Sequence, residues 1–489
     1  MHNNLNVTRK PILFHQDYKR VITRFHFPHD IIRISNIINR VLSLSDNRAK
    51  QILEQVMINF SHRHKHLDII FNKHFNKVKK YITQKIILSQ EKKNLIGAYF
   101  TNEYSIQSAA FFNPSIVSHM DQSNLDKNSI RLIMSFRSTG EGHISSIEFR
   151  SIIVNHKNEI SLETISSFAQ TADSIEIPIY DKHTFRLKLK EIQIDRNISN
   201  DLLEDLPSQF DFKQLKRTIS NKLDIETLTD STQQQTINQI FLLAKANLTL
   251  KFNSDTHLTE RVIFPFSDRN SNGIEDARFV LFNDENGTST YYATYTAYNG
   301  KDILTQLLET NDFLTFKMVT LIGNAVKNKG MALFPRKING KYMMIARIDG
   351  ENLYIVESDN IYFWNDAKPL IEPHYSWEFV QIGNCGSPIE TEKGWILLTH
   401  GVGPMRHYCI GAILLDLNDP SQVIGSLHEP LLCPKEEERE GYVPNVVYTC
   451  GAIIHNGELI IPFGMSDTTS GIASVSVNNL LNNLLKNKK

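Results

Sequence analysis

The sequence has few of the features that mark secreted, membrane-spanning or polyanion-binding proteins. Among its 489 residues no apolar run reaches the roughly 18 residues of a membrane-spanning helix. The polar N-terminus is not followed by the apolar stretch of a secretory signal. Lys and Arg together number 53, as do Asp and Glu, so no charge surplus attracts a phosphate backbone. We therefore expect that the protein binds neither a membrane nor nucleic acid. The same absences favour a cytoplasmic location.

Cysteine is equally scarce. The four cysteines all lie in the last quarter of the chain, and none forms a Cys-x-x-Cys pair: Cys385, Cys409, Cys433 and Cys450. This spacing argues against a disulfide framework or a zinc site and favours reduced thiols. No other metal-ligand spacing occurs, so we expect no metal and no cofactor.

The first hundred residues have a helical pattern, which runs from about Tyr18 to Lys93. Apolar residues recur at steps of three and four between Ile31 and Leu42. Ser45 and Asp46 can cap a second helix. We therefore expect an N-terminal α-helical domain over residues 1–100, which packs against the rest of the chain or mediates a homo-oligomer.

The remainder, residues 101–480, has mainly a β pattern. Strands are predicted from Ile130 to Arg137 and from Ile144 to Val154. The β pattern continues through residues 160–190, where Arg186–Lys190 alternates strictly between charged and apolar residues. A helical insertion is predicted at about 190–250, and a polar tail at 481–489.

Turn signals in the last 210 residues recur at a regular interval. Hairpin-type dipeptides end in Gly287, Gly340, Gly394 and Gly457, and these glycines are 53, 54 and 63 residues apart. A similar apolar strand follows each turn. A repeat of about 50 residues is typical of β-propeller blades, and residues 100–190 supply a further blade. The sequence thus predicts a mainly β fold, a five-bladed β-propeller with an N-terminal α-helical domain and a helical insertion.

The stretch Gly273–Arg278 holds two carboxylates and an arginine between a polar loop (Ser267 to Asn272) and an apolar strand. A carboxylic acid whose pKa is set by a second carboxylate and a guanidinium is equipped to cleave a glycosidic bond. The plainer interpretation is a surface turn with an ion pair. Polar residues recur beside the apolar strands in a way that packing does not explain. Asp276 precedes its strand, and the others end or follow theirs: Arg137, Tyr298 with Asn299, Arg347, His400 and Asp467.

These motifs occur in the order seen in glycoside hydrolase family 130, which the chain resembles over about residues 105–475 apart from the helical insertion. The motifs are Asn113-Pro114, Arg137, Gly273–Arg278, Lys329–Pro335, Gly394–Val402, Glu440–Val447 and Gly464–Asp467. The resemblance implies a five-bladed propeller that cleaves β-mannosidic bonds in small oligosaccharides with inversion, as a β-mannosidase or a β-mannoside phosphorylase.

The resemblance also implies roles for individual residues. Asp276 matches the catalytic acid, which protonates the leaving oxygen through a hydroxyl of the bound mannose. Asn113, Arg137 and Asp467 match residues that hold the sugar. Lys329 and His400 match positions at or beside a phosphate pocket. Further candidates for contact with the substrate are Glu275, Arg278 and Tyr298.

The attacking nucleophile stays open between phosphate, as a co-substrate, and water. Family phosphorylases tend to carry a basic residue and a histidine where this chain has Ala297 and Ala346. Arg336, Arg347 and Arg406 are candidates to replace the missing phosphate ligands. For hydrolysis a carboxylate must activate water; Glu440 and Glu390 are the candidates, with Glu436, Glu437 and Glu438 in reserve. The alternative outside the class of enzymes is a propeller that binds carbohydrate but has no catalytic activity.

Overall fold

The structure is a computed structural model that describes residues 5–83, 86–191, 196–223, 231–244, 247–266, 272–298, 300 and 303–486. The helices are α1 (Ile31–Leu42), α2 (Asp46–Phe60), α3 (Leu67–Val78), α4 (Gln90–Tyr99), α5 (Lys182–Glu191), α6 (Arg196–Leu203), α7 (Phe212–Lys222), α8 (Ser231–Ala244) and α9 (Val477–Lys486). None of the helices among these residues is long and apolar enough to cross a membrane.

Strands predominate over helices. In the first half of the chain they are β1 (Thr8–Phe14), β2 (Val21–Phe25), β3 (Thr101–Ser105), β4 (Ala110–Ser118), β5 (Ile130–Thr139), β6 (Ser145–Val154), β7 (Ile160–Leu162), β8 (Ser174–Glu176), β9 (Tyr180–Asp181), β10 (Gln209–Phe210), β11 (Leu248–Lys251) and β12 (Val262–Ile263). The second half contains β13 (Gly273–Asn283), β14 (Ser289–Tyr298), β15 (Ile303–Thr310), β16 (Thr315–Thr320), β17 (Ala332–Leu333), β18 (Tyr342–Ala346), β19 (Leu353–Ser358), β20 (Ala367–Ile371), β21 (Gln381–Asn384), β22 (Ile389–Thr391), β23 (Gly394–Val402), β24 (Tyr408–Leu415), β25 (Val423–Ser426), β26 (Val447–Tyr448), β27 (Ile453–His455), β28 (Glu458–Met465) and β29 (Thr469–Ser476).

These strands form antiparallel meanders. One sheet has the order β17-β18-β19-β20, a second β21-β23-β24-β25, and a third β1-β29-β28-β26. The largest sheet contains two meanders, β4-β5-β6 and β13-β14-β15-β16, which are joined by the single parallel pair Gly273 and Ser145. The chain is therefore mainly β. Most of its strands fall into five antiparallel groups, namely β4-β5-β6, β13 to β16, β17 to β20, β21 to β25, and β1 with β26 to β29; the pairs β2-β3 and β9-β10 are separate.

The four predicted hairpin turns are confirmed. They connect β13 to β14, β17 to β18, β22 to β23 and β27 to β28. In each case the two connected strands pair with each other in antiparallel orientation. The glycine that ends each turn has a positive φ between 75° and 133°. Since glycine adopts positive φ at little cost, the turn dipeptides were a reliable local signal.

The alternating segment Arg186–Lys190 is not a strand, and this prediction was wrong. It lies in helix α5, where Phe185 and Leu189, four residues apart, are buried in one apolar cluster with residues of α6, α7 and α8. Five alternating residues are too few to distinguish a period of 2 from a helical face. The helical insertion therefore begins at Lys182, before the expected 190.

The N-terminal region is not helical throughout, and the helical pattern predicted from Tyr18 onward was wrong as far as Phe25. Strand β1 pairs with β29 near the C-terminus, and β2 pairs with β3. Helices begin only at Ile31. At the other end, the expected polar tail from residue 481 is helical as far as Lys486, because Leu480, Leu481 and Leu484 of α9 are buried.

Two of the four cysteines form a disulfide bond, which contradicts the expectation of reduced thiols. Cys409 and Cys433 are bonded, with Cα atoms 4.5 Å apart, while Cys385 and Cys450 are free and buried. The pairing arises from tertiary structure, since a β-bridge between Ile410 and Leu432 brings together cysteines that are 24 residues apart. The sulfur atoms also lie near a ring nitrogen of His407, within 4.8 Å.

Candidate active site

A cavity of about 200 Å³ opens where all five strand groups contribute side chains. Ten of the predicted site residues line it: Asn113, Arg137, Glu275, Asp276, Arg278, Lys329, Arg347, His400, Arg406 and Asp467. They come from distant parts of the sequence and lie near the starts or ends of strands, or in the loops that connect them. The structure therefore brings together ten of the residues that the sequence singled out, whereas Tyr298 of the same series is not among the lining residues.

An unusual backbone conformation orients three of these side chains toward the cavity. Asn113, Asp276 and Asp467 have φ values of 47°, 53° and 50°, in the left-handed region that residues other than glycine rarely adopt. Asp276 and Ala277 together oppose only Tyr295 of β14, a β-bulge. Bulges redirect side chains and are common beside active sites. Non-glycine residues in this region are costly, so their convergence on one cavity marks a functional site.

Asp276 lies among cations and amide donors. Asn113 Nδ2 donates to Asp276 Oδ1 at 2.9 Å, and a guanidinium nitrogen of Arg137 is 3.5 Å from the same oxygen. Burial alone raises the pKa of Asp276, but the charges of Arg137 and Arg278 outweigh burial and leave the pKa below its ordinary value. Asp276 is therefore ionised near neutral pH while the cavity holds no anion.

Glu275 connects two cations across the cavity floor. Its Oε1 accepts from Arg137 at 2.9 Å, and its Oε2 accepts from Lys329 Nζ at 2.5 Å. Both carboxylate oxygens thus have charged donors. Glu275 fixes the guanidinium and the ammonium group in place, and it neutralises much of their charge.

Arg278 stabilises the backbone of the β-bulge. Its three donor groups bind the carbonyl of Cys385, the carbonyl of Asp276 and the hydroxyl of Tyr448. The residue is only 3% exposed. Arg278 therefore holds the backbone that carries Asp276, although its side chain also borders the cavity.

Asp467 has the opposite electrostatic balance from Asp276. Burial and the neighbouring charge of Asp276 raise the pKa of Asp467 to about 6, against the opposing charge of Arg137. Asp467 sits in the turn between β28 and β29. The pKa values of the two carboxyl groups differ in direction because burial and a neighbouring carboxylate dominate at Asp467, whereas the nearby cations dominate at Asp276.

Within the described part of the chain, the cavity is also lined by cations without a carboxylate within ion-pair distance and by polar atoms without a hydrogen-bond partner. Among the described residues neither Arg347 nor Arg406 forms an ion pair, and Arg347 Nε and both side-chain polar atoms of Asn384 have no hydrogen-bond partner. His400 Nε2 lies 3.3 Å from Arg347. Burial, with the charges of Arg347 and Arg278, lowers the pKa of His400 well below its usual range, so its imidazole is neutral.

Several predicted residues are not among those that line the cavity: Tyr298, Arg336, Glu390, Glu440 and the three reserve carboxylates Glu436, Glu437 and Glu438. Tyr298 donates from its hydroxyl to the carbonyl of Gly300. Glu390 accepts two hydrogen bonds from Arg336, at 2.7 and 2.8 Å, in an exposed ion pair. Glu440 is exposed on the loop before Val443. Asn299 and most of the polar loop, residues 267–271, lie outside the described residues.

The alanines at 297 and 346 occupy apolar surroundings. Ala297 belongs to a hydrophobic cluster with Tyr295 and Phe279, and Ala346 to another with Met344 and Leu333; both alanines are fully buried. Neither residue is among those that line the cavity. The sequence suggested that alanine at these two positions removes two cations from a phosphate site. Because neither alanine lines the cavity, the structure does not show a missing cation in the cavity wall.

Sequence reasoning did not single out several residues that line the cavity: Gly330, Gln381, Gly383, Asn384, Tyr408, Val443, Val446 and Tyr448. Gly330, Val443 and Val446 lie inside motifs already noted. Asn384 ends strand β21 and follows the same strand-end rule, so that rule applied to β21 would have found it. Tyr448 could be found only from its contact with Arg278.

Comparison with known proteins agrees with this geometry. A family model described as beta-1,4-mannooligosaccharide phosphorylase, that of glycoside hydrolase family 130, matches residues 232–486. A 1,2-beta-oligomannan phosphorylase of Thermoanaerobacter sp. (strain X514) is 35% identical over 213 residues, 42% of this chain and 70% of that protein. A beta-1,2-mannobiose phosphorylase of Listeria innocua is 28% identical over 321 residues, 63% of this chain and 81% of that protein.

A solved structure of a Listeria innocua beta-1,2-mannobiose phosphorylase, in complex with beta-1,2-mannobiose, aligns with a TM-score of 0.46 and 22% identity, covering 78% of this chain and 93% of that one. The family model spans just over half of the chain, and the Thermoanaerobacter relative is matched over more than two thirds of its length. The chain therefore belongs to glycoside hydrolase family 130 and is an enzyme that acts on β-mannosidic bonds.

Proposed function

We propose that the protein cleaves β-mannosidic bonds of small oligosaccharides by phosphorolysis, with inversion at the anomeric carbon. In this assignment Asp276 is the acid, and Asn113, Arg137 and Asp467 hold the mannose. Arg347 and Arg406 bind inorganic phosphate, with Lys329 and His400 beside them. The names of the curated relatives, which are phosphorylases, support the choice.

One observation carries the proposal: the cavity has more cations than carboxylates, and two of its cations form no ion pair among the described residues. Five cationic side chains line it against three carboxylates, in a chain whose formal net charge is zero. Glu275 and Asp276 engage Arg137 and Lys329, which leaves Arg347 and Arg406 without a carboxylate partner among the described residues. Such a pair suits an anion, because guanidinium groups bind phosphate oxygens through parallel N–H donors.

The proposed reaction balances with groups in the cavity. A phosphate oxygen bonds to the anomeric carbon while the bond to the leaving oxygen breaks. Asp276 gives its proton, relayed through a hydroxyl of the mannose, to that leaving oxygen. The products are mannose 1-phosphate of inverted configuration and the shortened sugar.

Phosphate also supports the acid role of Asp276. In the free cavity Arg137 and Arg278 hold the pKa of Asp276 low. An anion bound beside these cations opposes their effect and raises the pKa of the carboxyl group. Proton donation is therefore favoured after phosphate binds.

Hydrolysis is the second candidate and has weaker support. It needs a carboxylate that activates water opposite the acid. Glu390 is held by Arg336, Glu440 is exposed, and neither is among the residues that line the cavity. The carboxylates that do line it are Glu275, Asp276 and Asp467, and the first is bound to two cations.

We also propose that the five antiparallel strand groups are the blades of one five-bladed propeller, with this cavity at its axis. The contribution of every group to one cavity supports the arrangement. The helices α1 to α4 share an apolar cluster of their own and form the proposed N-terminal domain, which leaves Ile32, Ile58 and Ile69 exposed. Self-association through these helices is the corresponding proposal for a homo-oligomer.

Kinetics of Arg347→Met test the phosphate assignment. Losing an unpaired guanidinium from the anion site should raise the KM for phosphate about tenfold or more. Arg336→Met is the matched control, because Arg336 pairs with Glu390 and is not among the residues that line the cavity. An unchanged KM for phosphate in Arg347→Met would remove Arg347 from the proposal.

A further inference from the structure

Two aromatic rings stack on the protein surface near the cavity. The rings of His143 and Tyr442 have centroids 5.4 Å apart and planes inclined by only 27°. Both residues are exposed, and Tyr442 retains 62% of its accessible surface. A large ring that stays this exposed in a fixed stacked position gains little from folding, so its position calls for another explanation.

Tyr442 is adjacent in sequence to Val443, which lines the cavity. Its backbone N–H donates to Thr468 Oγ1 at 2.9 Å, and the N–H of Val443 donates to the carbonyl of Ser466 at 3.0 Å. These two bonds flank Asp467, which lines the cavity, as does Val443. Tyr442 is thus one residue from the cavity wall along its own segment and along the facing one.

His143 reaches the same edge from another strand group. It closes the turn between β5, which carries Arg137, and β6, whose Ser145 pairs with Gly273 just before Glu275 and Asp276. The turn is fixed, because Tyr104 donates its hydroxyl to the carbonyl of Glu141 at 2.6 Å. His143 itself has a φ of 59°, a costly backbone conformation for histidine.

We propose that Tyr442, supported by His143, is the stacking platform for the sugar on the leaving side of the scissile bond, the acceptor sugar in the reverse reaction. This inference rests on the proposed function. In the proposed function the mannose and the phosphate occupy the cavity, because the residues assigned to both line it. The next sugar of a β-mannoside then lies at the mouth, where the apolar face of its ring can pack on an aromatic ring.

Kinetics of the reverse reaction distinguish binding of the acceptor sugar at the platform from binding of the sugar phosphate in the cavity. Wild-type protein is supplied with α-mannose 1-phosphate and mannose, and the KM is measured for each. Tyr442→Ala should raise the acceptor KM about tenfold, as truncation of a well-placed aromatic side chain does, with less than a twofold change for the sugar phosphate. Tyr442→Phe, which keeps the ring, should stay close to wild type.

Two further variants sharpen the test. His143→Gly removes the supporting ring without backbone strain, because glycine accepts a φ of 59°. It should raise the acceptor KM in the same direction but by less. Tyr18→Ala is the matched control, since Tyr18 is also exposed, at 67%, and is not among the residues that line the cavity; both of its KM values should match wild type.

Equal increases in both KM values for Tyr442→Ala, or no change in either, would overturn the platform. If wild-type protein makes no disaccharide from the sugar phosphate, the proposed function fails on its own. The platform is then tested by calorimetry with β-1,2-mannobiose and mannose. Tyr442→Ala should weaken mannobiose binding more than mannose binding, and equal weakening would overturn the inference.

Discussion

At the scale of single residues, two carboxyl groups that line the cavity have pKa values shifted in opposite directions by their environments. Asp276 is close to Arg137 and Arg278 and ionises readily, whereas Asp467 is buried beside a carboxylate and has a pKa of about 6. Groups whose pKa values are pushed apart in this way are typical of acid-base sites. Both residues also have left-handed backbone, so the fold accepts strain to place them.

Asp467→Asn should stabilise the free protein at high pH. The folded pKa of Asp467 lies above its ordinary value of 3.8, so the folded protein loses stability as the pH rises from 3.8 to about 6, and the loss persists above that. Removing the carboxylate should therefore raise the free energy of unfolding by about 1–2 kcal/mol at pH 8, and by little at pH 4. Urea unfolding at both pH values measures this.

The control for Asp467→Asn is Asp359→Asn, whose carboxylate is 78% exposed and paired with Lys341. Its stability should change by less than about 0.5 kcal/mol at either pH. A gain for Asp467→Asn that is equal at pH 4 and pH 8, or a loss at pH 8, would contradict the electrostatic account of the cavity.

At the scale of elements, a buried charge network attaches strand β2 to the large sheet. Arg20, just before β2, donates to Glu148 of β6 at 3.0 and 3.2 Å and to the carbonyls of Ser166, Phe168 and Thr259. Burial raises the pKa of Glu148, but the charges of Arg20 and Arg150 outweigh burial and lower it. The glutamate is fully buried, so its charge depends on these partners.

Arg20→Met should destabilise the protein by about 3 kcal/mol, because the buried Glu148 carboxylate loses its nearest cation and, among the described residues, keeps only Gln107 and Arg150, while three carbonyls lose the Arg20 donors. Thermal or urea unfolding provides the measurement. Lys50→Met is the control, since Lys50 and Glu54 form an exposed ion pair whose loss should cost less than about 1 kcal/mol. Equal effects of the two substitutions would show that the buried network does not stabilise the sheet.

The elements also show what sequence alone could predict. The turns at Gly287, Gly340, Gly394 and Gly457 were predictable because a two-residue hairpin turn depends on local conformation. The pairing of β1 with β29 was not, because no local pattern records a contact between opposite ends of a chain. Helix α5 was missed because Arg186–Lys190 alternates over too short a stretch to fix its period.

The candidate site was partly predictable for the same reason. Polar residues near the ends of apolar strands, such as Arg137 and His400, and Asp276 near the start of one could be recognised from sequence and do line the cavity. Glu390 and Glu440 were chosen for their chemical type alone, and neither is among the lining residues. The role of Tyr448 depends on its hydrogen bond to Arg278, a contact between residues 170 positions apart.

At the scale of the whole molecule, the two ends of the chain complete one sheet. Strand β1 is the outer strand beside β29, and Arg9 of β1 forms an ion pair with Glu438. Helix α9 packs its leucines into the cluster that contains residues of β28 and β29. The N-terminal hundred residues are therefore not a detachable unit, since their first strand belongs to the C-terminal sheet.

Deleting residues 1–95 should cause aggregation or a changed oligomeric state, because it removes β1 and exposes the edge of β29 together with apolar surface. Size-exclusion chromatography with light scattering measures the outcome. Deleting residues 1–4 only is the control, since β1 stays whole. A soluble, fully active protein of unchanged size after the long deletion would contradict this assignment.

The central claim is that phosphate is the nucleophile, and analysis of the products tests it most directly. The purified protein is incubated with β-1,2- and β-1,4-linked mannobiose and with mannosyl-glucose, each with and without inorganic phosphate. We expect mannose 1-phosphate only when phosphate is present, and neither mannose nor sugar phosphate from the variant Asp276→Asn. Free mannose formed at the same rate with or without phosphate would contradict the account and identify a hydrolase.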